Sequence, residues 1–325
     1  MLTISTPSEL SPFDRPAEFV ITSTTPATDA GTIIDAVLTD ADSGTVLATR
    51  RIHLDNNGSA RFDAAPVLRR SFVLRPAAGA SGLAVAEDCR FRVVLSVGAV
   101  RSKAVTLLST EPDINALTLI SGMSAKRTIR YGESDRLIFY SQSDFTVSIE
   151  VQTPSGTKHY SYNWKGDAGL VALRLRTTDF DPAAQRITVM ANRTTAAEYT
   201  VEPSTADSVR LAWRSTAGVV EHYTFPIVVR RTLVSGRRTV RLADGTCTVA
   251  GSEHVEAVLR SAYENAATVA TIAEAAISPQ VWVVDGDTGE YISVDVLTQQ
   301  VATHSFGEPS NVELTVRPSQ NGVRI

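Results

Sequence analysis

Short alternating segments separated by turn residues constrain the fold of this chain more than any other feature. Apolar and polar side chains alternate in residues 18–22, residues 32–38 form a candidate core strand, and the turn sequence Asp-Ala-Asp-Ser-Gly at 40–44 precedes residues 45–49. A period of two is typical of half-buried β-strands, and Asp, Ser and Gly are the residues that tight turns require. The sequence therefore predicts strands joined by hairpin turns.

Composition supports a mainly β fold with several cores. Val and Thr are frequent whereas Met occurs 3 times, and β-branched side chains favour pleated sheets. At roughly 100 to 150 residues per domain, 325 residues indicate about three domains. We expect consecutive β-sandwich-like domains at 1–112, 113–204 and 205–325, the last one α+β with one short helix. The first boundary rests on Pro112, which interrupts the strand pattern.

Further hairpins are predicted along the chain. Asn57-Gly58 separates residues 51–54 from 59–63, which predicts a second hairpin with a type I′ turn. In the last segment, hairpins are expected around Ala217-Gly218, between 280–284 and 290–296, and at 243–245. The Ala-rich stretch 265–278 before Pro279 predicts the helix. Residues 252–263 fit either a helix or a strand.

Charge and cysteine content exclude several classes of protein. The net charge is -4, and the arginines occur singly or in scattered pairs, so the sequence has no dense basic stripe typical of nucleic-acid binding. The start of the chain has neither a basic nor an apolar signal region, and no apolar run is long enough for a membrane span, so we expect no membrane insertion. Cys89 and Cys247 are expected to be unpaired thiols in different domains.

No linear motif indicates catalysis, a cofactor or a metal. The five His residues show no spacing that would place two imidazoles on one zinc ion, and no nucleophile elbow or phosphate-binding loop is present. Residues 40–44 and 285–290 resemble the start of a calcium loop, but they lack the Glu at loop position 12 and are better explained as turns. Trp164, Trp213 and Trp282 are expected in the core, with a sugar-stacking platform as the alternative. We therefore predict a non-enzymatic protein without a cofactor.

Three motifs resemble a known group of proteins. Residues 57–69 read Asn-Gly-Ser-Ala-Arg-Phe-Asp-Ala-Ala-Pro-Val-Leu-Arg, residues 211–225 contain Trp213, Gly218, Glu221, Tyr223 and Phe225 at hairpin spacing, and residues 278–282 read Ser-Pro-Gln-Val-Trp. This order resembles that of uncharacterised tail or baseplate-like structural proteins of prophages from Bacteroides-type bacteria. Ser215 stands where that pattern has Asn.

The resemblance implies a structural protein that is assembled in the cytoplasm and becomes part of a virion. Its partners would be copies of itself or other tail proteins, without nucleic acid. Loop tips on rigid β scaffolds are available to partners, so Gly218, Gly286, Asp287 and Gly289 mark the candidate interaction loops. The alternative is an extracellular or cell-surface adhesin or carbohydrate-binding module whose leader has been removed. A hydrolytic or calcium-dependent enzyme is a third hypothesis that no linear motif supports.

Overall fold

The computed structural model describes residues 2–111, 113, 117–205, 207–243, 245–286, 288–302 and 310–319. The protein is mainly β, with 56% of residues in strands and 9% in helices, as the alternating segments predict. The sheets form a multidomain, β-sandwich-like architecture. Pro112, on which the first predicted boundary rests, lies outside the described residues, and the domain borders stay a prediction.

The N-terminal segment forms a sandwich of two sheets. Its strands are β1 (Leu2–Ser5), β2 (Ser11–Pro12), β3 (Glu18–Ser23), β4 (Ile33–Asp40), β5 (Val46–His53), β6 (Ser59–Asp63), β7 (Gly82–Val85), β8 (Arg90–Val97), β9 (Val100–Arg101) and β10 (Val105–Leu108), with helices α1 (Pro26–Asp29) and α2 (Ala65–Ser71). One sheet has the order β1-β3-β6, and the other has the order β2-β10-β8-β4-β5 with β9 on β8. Phe19, Phe62 and Leu95 are buried in the core that these sheets share.

The predicted second hairpin is wrong, because its two strands lie in different sheets. Residues 46–49 and 51–53 belong to the single strand β5, which pairs with β4, whereas β6 pairs with β3. Gly58 has a φ of 66°, but a type I′ turn requires a positive φ at both central residues, and Asn57 does not have one. A Cβ at Gly58 would lie 2.8 Å from the Cα of Pro26. The turn therefore takes the chain from one sheet to the other. Only glycine fits at position 58 of this turn.

Helix α2 was not predicted, although its sequence carries the usual signals. Pro66 stands in its first turn, and Arg69 and Arg70 stand in its last turn, where cations favour the helix dipole. The Oδ1 atom of Asp63 accepts hydrogen bonds from the backbone N–H groups of Ala17 (2.9 Å) and Ala65 (3.0 Å). Asp63 therefore fixes the start of the helix to the strand before it.

The middle segment forms a second sandwich. Its strands are β11 (Thr118–Ile120), β12 (Lys126–Arg130), β13 (Ser134–Ser141), β14 (Phe145–Thr153), β15 (Gly156–Trp164), β16 (Gly169–Arg176), β17 (Arg186–Ala191) and β18 (Thr194–Glu202). One sheet has the order β11-β13-β16-β7 and the other β12-β18-β17-β14-β15. Strand β7 comes from the N-terminal segment and pairs with β16, so that segment completes a sheet of the middle segment.

The C-terminal segment is a seven-stranded sheet with one short helix, as predicted. Its elements are β19 (Val209–Arg214), β20 (Val220–Phe225), β21 (Ile227–Leu242), β22 (Gly245–Arg260), α3 (Ala266–Ala273), β23 (Val281–Val284), β24 (Tyr291–Val296) and β25 (Glu313–Pro318). The strand order is β20-β19-β23-β24-β25-β22-β21. Asn265 caps α3 by accepting a hydrogen bond from the Thr268 backbone N–H. Residues 252–260 are strand, which settles the open choice for most of 252–263.

Side chains from all three segments share packing. Tyr140 and Leu170 of the middle segment and Ala212 and Trp282 of the C-terminal segment are buried in the same cluster as the N-terminal core. The side-chain amide of Gln280 donates to the Leu74 carbonyl and accepts from its N–H group. The three segments are therefore packed against one another rather than joined only by linkers.

Candidate functional site

A cluster of polar side chains, all buried except the half-buried Tyr291, lies where the middle and C-terminal segments meet. We call this cluster the ionic junction, and its members are Arg127, Glu133, Asp135, Tyr199, Arg210, His222, Thr224 and Tyr291. Strands β12, β13 and β18 supply members from one side, and β19, β20 and β24 supply members from the other.

Asp135 is the centre of the ionic junction. Its carboxylate accepts a hydrogen bond from the Tyr199 hydroxyl at 2.9 Å, and it lies 3.0 Å from His222 Nδ1 and 3.3 Å from Arg210 Nη2. Burial alone would raise the pKa of Asp135, but the contact with His222 and the charges of Arg210 and Arg127 outweigh burial and lower it. Asp135 is therefore a buried anion whose partners come from two segments.

Glu133 is a second carboxylate that connects the middle segment to the C-terminal segment. Its Oε2 atom accepts hydrogen bonds from the Thr224 hydroxyl at 2.6 Å and from the Arg130 backbone N–H at 2.8 Å. Arg210 donates to the Ser134 carbonyl at 2.7 Å and to the Thr224 hydroxyl at 2.8 Å. These bonds satisfy most of the polar groups that burial removes from water.

His222 extends the ionic junction to strand β24. Its Nε2 atom lies 2.9 Å from the hydroxyl of Tyr291. Burial lowers the pKa of His222, and burial followed by the charge of Asp135 raises the pKa of Tyr291 to about 12. A neutral imidazole with its proton on Nδ1 suits both contacts, because it donates towards Asp135 and accepts from the tyrosine hydroxyl.

Glu221 lies next to the ionic junction and has a different environment. Its carboxyl accepts from the Ser121 hydroxyl at 2.9 Å and from the Gly122 backbone N–H at 2.7 Å. Burial raises its pKa to about 7. Glu221 is therefore the group of this region that titrates near neutrality.

The ionic junction connects side chains of the middle and C-terminal segments. Asp, His and Tyr in hydrogen-bond reach are groups used in acid-base catalysis. Asp135 and His222 are only 3% and 2% exposed, and the pocket that His222 lines together with Arg127, Tyr223 and Glu264 is small, about 150 Å³. The cluster orients strands of two segments. A related contact reaches the N-terminal segment, where buried Arg136 forms an ion pair with Asp88.

Two open clefts lie at the segment boundaries. One, of about 690 Å³, lies between the N-terminal and middle segments and is lined by Asp42, Arg90, Arg92, Trp164 and Asp167 among others. The second, of about 540 Å³, lies beside Glu133 and Arg210 and includes residues of the β23–β24 turn. Both have mixed polar and apolar walls.

The hairpin of β21 and β22 is a long and largely exposed feature of the described chain. Each strand has 16 residues, and β21 forms the end of its sheet. Strand β22 pairs with β25 only from Ala257 to Arg260. Residues 229–256 therefore pair only within the hairpin among the described strands, and we call them the ribbon.

The structure separates the predicted interaction loops. Gly218 is buried in the turn between β19 and β20, with a φ of 73°, and a Cβ there would overlap the carbonyl oxygen of Ser109. Gly289 is also buried, against Ala78, whereas Gly286 is exposed. Asp287 lies outside the described residues. The geometry leaves only Gly286 of the described three at an open tip, and contact of these loops with partners stays a prediction.

The other sequence candidates also have positions in the fold. Asp40 accepts from the N–H groups of Asp42 and Ser43, and Asp285 accepts from that of Thr288, which confirms the turns. Trp213 and Trp282 are buried as predicted, while Trp164 is half-buried. Cys89 and Cys247 are free thiols.

Two further findings concern the described part of the chain. It holds no group of three or more His, Cys, Asp or Glu side chains placed to bind a metal ion. None of its helices combines the length and the apolar character that crossing a bilayer needs.

Sequence reasoning missed the ionic junction, and it found the hairpin at 243–245 but not the length of the ribbon. The sequence Gly-Glu-Ser-Asp-Arg at 132–136, directly before the apolar run 137–140, was the local signal for buried charge. The pairs Arg230-Arg231 and Arg237-Arg238 look like scattered charge in the sequence, although they lie on one strand.

Comparisons with known proteins identify no family. No family model and no curated protein matches the chain. Among solved structures, the chain is similar to the native conformation of E. coli alpha-2-macroglobulin determined by cryo-EM, with 9% identity and a TM-score of 0.20. The match covers 80% of this chain, which spans 21% of that protein. So low a TM-score carries no argument about fold or function.

Proposed function

We propose that the protein is a non-enzymatic structural component that acts through protein–protein contacts, of the kind found in a prophage tail or baseplate. The observation that carries this proposal is the ribbon, which extends from a body whose segments share packing and buried ion pairs. An isolated two-stranded ribbon is marginally stable in water, so a long one is suited to being completed by a partner.

The position of the ionisable groups supports a structural role. Asp135, Glu221 and His222, whose pKa values are shifted, are each at most 3% exposed. Catalytic groups with shifted pKa values have to face a cleft that a substrate can enter. Here His222 borders a small pocket of about 150 Å³, and all three groups contact residues of another segment.

Sedimentation of extracts from the source cells tests this proposal. The chain has a mass of 34.9 kDa, and we expect it to sediment in a much larger particle. A variant with residues 235–253 replaced by Asn-Gly should leave that particle and sediment alone. Recovery of the intact chain as a free species of 34.9 kDa under all growth conditions would contradict the proposal.

Trp164 supports a second candidate, a carbohydrate-binding module. It lies half-buried in the wall of the 690 Å³ cleft, together with Asp42, Arg90 and Asp167. An aromatic face beside charged and polar groups is a common arrangement for binding sugar rings. Calorimetric titration with a panel of oligosaccharides tests it, with Trp164→Ala as the variant that should lose binding and the exposed Tyr263→Ala as the control.

A further inference from the structure

The ribbon has the dimensions of a docking element. At about 3.4 Å per residue, the 14 residues of β21 from 229 to 242 extend about 45 Å. One strand edge of β21 has no partner among the described strands, so its backbone N–H and C=O groups are available for pairing. With its two faces and an edge, a ribbon of this length offers roughly the 800 Å² per partner of a standard interface.

The charge of the ribbon is opposite to that of the rest of the molecule. Strand β21 contains five Arg and no Asp, Glu or Lys. The ribbon, residues 229–256, contains five Arg and three acidic residues, a net charge of +2. Since the whole chain carries -4, the remaining residues carry -6. A second copy of the chain therefore offers an acidic body to a basic ribbon.

The exposed apolar residues favour a protein surface over a nucleic acid. Leu233 is 62% exposed, Val229 44% and Val240 39%, and all three lie on the strand that carries the arginines. The phosphate backbone of a nucleic acid offers little apolar surface for such side chains to contact. Protein interfaces, in contrast, combine apolar contacts with arginine. The acidic body would also repel a nucleic-acid backbone.

From these observations we infer that the ribbon of one copy docks onto the acidic body of a second copy. The inference rests on the proposed function and names the partner. Two ribbons pairing edge to edge would place arginines beside arginines, so the contact is head-to-tail. A head-to-tail contact generates a closed ring or an open filament rather than a simple two-fold dimer.

Light scattering coupled to size exclusion, over a concentration series of the purified chain, tests the inference. We expect the mass to rise with concentration and the association to weaken between about 0.05 and 0.5 M salt. Arg237→Glu/Arg238→Glu should weaken association at least about tenfold, because it replaces attraction by repulsion. Arg237→Lys/Arg238→Lys keeps the charge, so its association constant should stay within about threefold of that of the native chain.

The variant Arg237→Lys/Arg238→Lys also locates the partner surface. Carbodiimide joins amines to carboxylates, so the two amines that this variant introduces should crosslink to acidic residues outside 227–260 of another copy. The native chain, which has guanidinium groups at both positions, is the control and should lack these crosslinks. Crosslinks confined to one polypeptide, shown by mixing isotope-labelled and unlabelled chains, would contradict docking between copies.

Three results would overturn the inference. The first is a strict monomer at every concentration, and the second is association that persists in Arg237→Glu/Arg238→Glu. The third is salt-sensitive binding of a DNA duplex, without self-association, that Arg237→Glu/Arg238→Glu abolishes. If the purified chain is a monomer but still sediments in the large particle of the source cells, the partner is a different protein and the proposed function stands. If both results are negative, the two proposals fail together.

Discussion

The ionic junction and the ribbon use the same residue type in opposite ways. Arg127 and Arg210 are buried, and each lies within 3.6 Å of a carboxylate oxygen. Arg237 and Arg238 are exposed and have no ion pair among the described residues. A buried guanidinium without a partner is costly, whereas an exposed one is solvated by water.

This difference separates residues that hold the molecule together from residues available to a partner. The junction should govern stability and have no direct effect on association. The ribbon should govern association and have little effect on stability. Measuring both quantities on the same variants tests that separation.

Asp135→Ala should have the largest effect on stability. The substitution removes the anion that pairs with Arg210 and Arg127 and the acceptor of the Tyr199 hydroxyl, and breaking a buried pair costs about 3–5 kcal/mol. Urea denaturation measures the loss. Asp35→Ala is the matched control, because the side chains of its ion pair with Arg51 are 62% and 81% exposed and the pair should contribute less than about 0.5 kcal/mol. Equal losses in the two variants would remove the distinction between buried and exposed pairs.

Gly218→Ala tests whether close packing, as well as charge, joins the segments. Gly218 and Gly44 have nearly the same φ, 73° and 72°, so both substitutions incur the left-handed strain of about 1–2 kcal/mol. Only at Gly218 does the added Cβ overlap backbone, that of Ser109, which adds about 1–3 kcal/mol. Thermal denaturation should therefore show a loss of about 3 kcal/mol for Gly218→Ala. A loss no greater than that of Gly44→Ala would mean that the two segments separate easily at this contact.

Glu221→Gln isolates the pH dependence of the junction region. The pKa of Glu221 is raised from 4.5 in the unfolded chain to about 7 in the fold, so the unfolded state releases this proton first as the pH rises. Relative to Glu221→Gln, the native chain should lose about 3 kcal/mol of unfolding free energy between about pH 4.5 and 7, and no more above that. His222 has the opposite effect, because its pKa is lowered, but both proteins contain it and it cancels in the difference.

Urea denaturation at half-unit pH steps gives this difference directly. A difference that is flat from about pH 4.5 to 8 would mean that Glu221 ionises in the fold as easily as in the unfolded chain. The hydrogen bonds from Ser121 and Gly122 would then compensate fully for its burial.

Local patterns predicted the strands and the turns, because they depend on residues close in sequence. The hairpin of β23 and β24 followed from five turn residues between two apolar runs, and helix α3 followed from an Ala-rich stretch before Pro279. The hairpin at Asn57-Gly58 failed because the same turn residues serve a crossing between sheets. The sheet that a strand joins is decided by its contacts with residues that are distant in the sequence.

The ionic junction depends on contacts that no local pattern contains. Glu133 and Thr224 are hydrogen-bonded although they lie 91 residues apart. The length of the ribbon was missed for a different reason. Its strands leave the core, so the alternation that marks a half-buried strand is absent, and only the hairpin at 243–245 was predicted. Regions without a core therefore lack the signal on which strand prediction depends.

Substitutions on the ribbon should have the smallest effect on stability. Arg237→Glu/Arg238→Glu changes exposed side chains without a described ion pair, so the unfolding free energy should stay within about 0.5 kcal/mol of the native value. The measurement is made below the concentration at which the native chain associates, because binding would add to apparent stability. A larger loss would mean that the ribbon packs on its own body through these arginines. The separation between a stabilising junction and a docking ribbon would then fail, even if association were also lost.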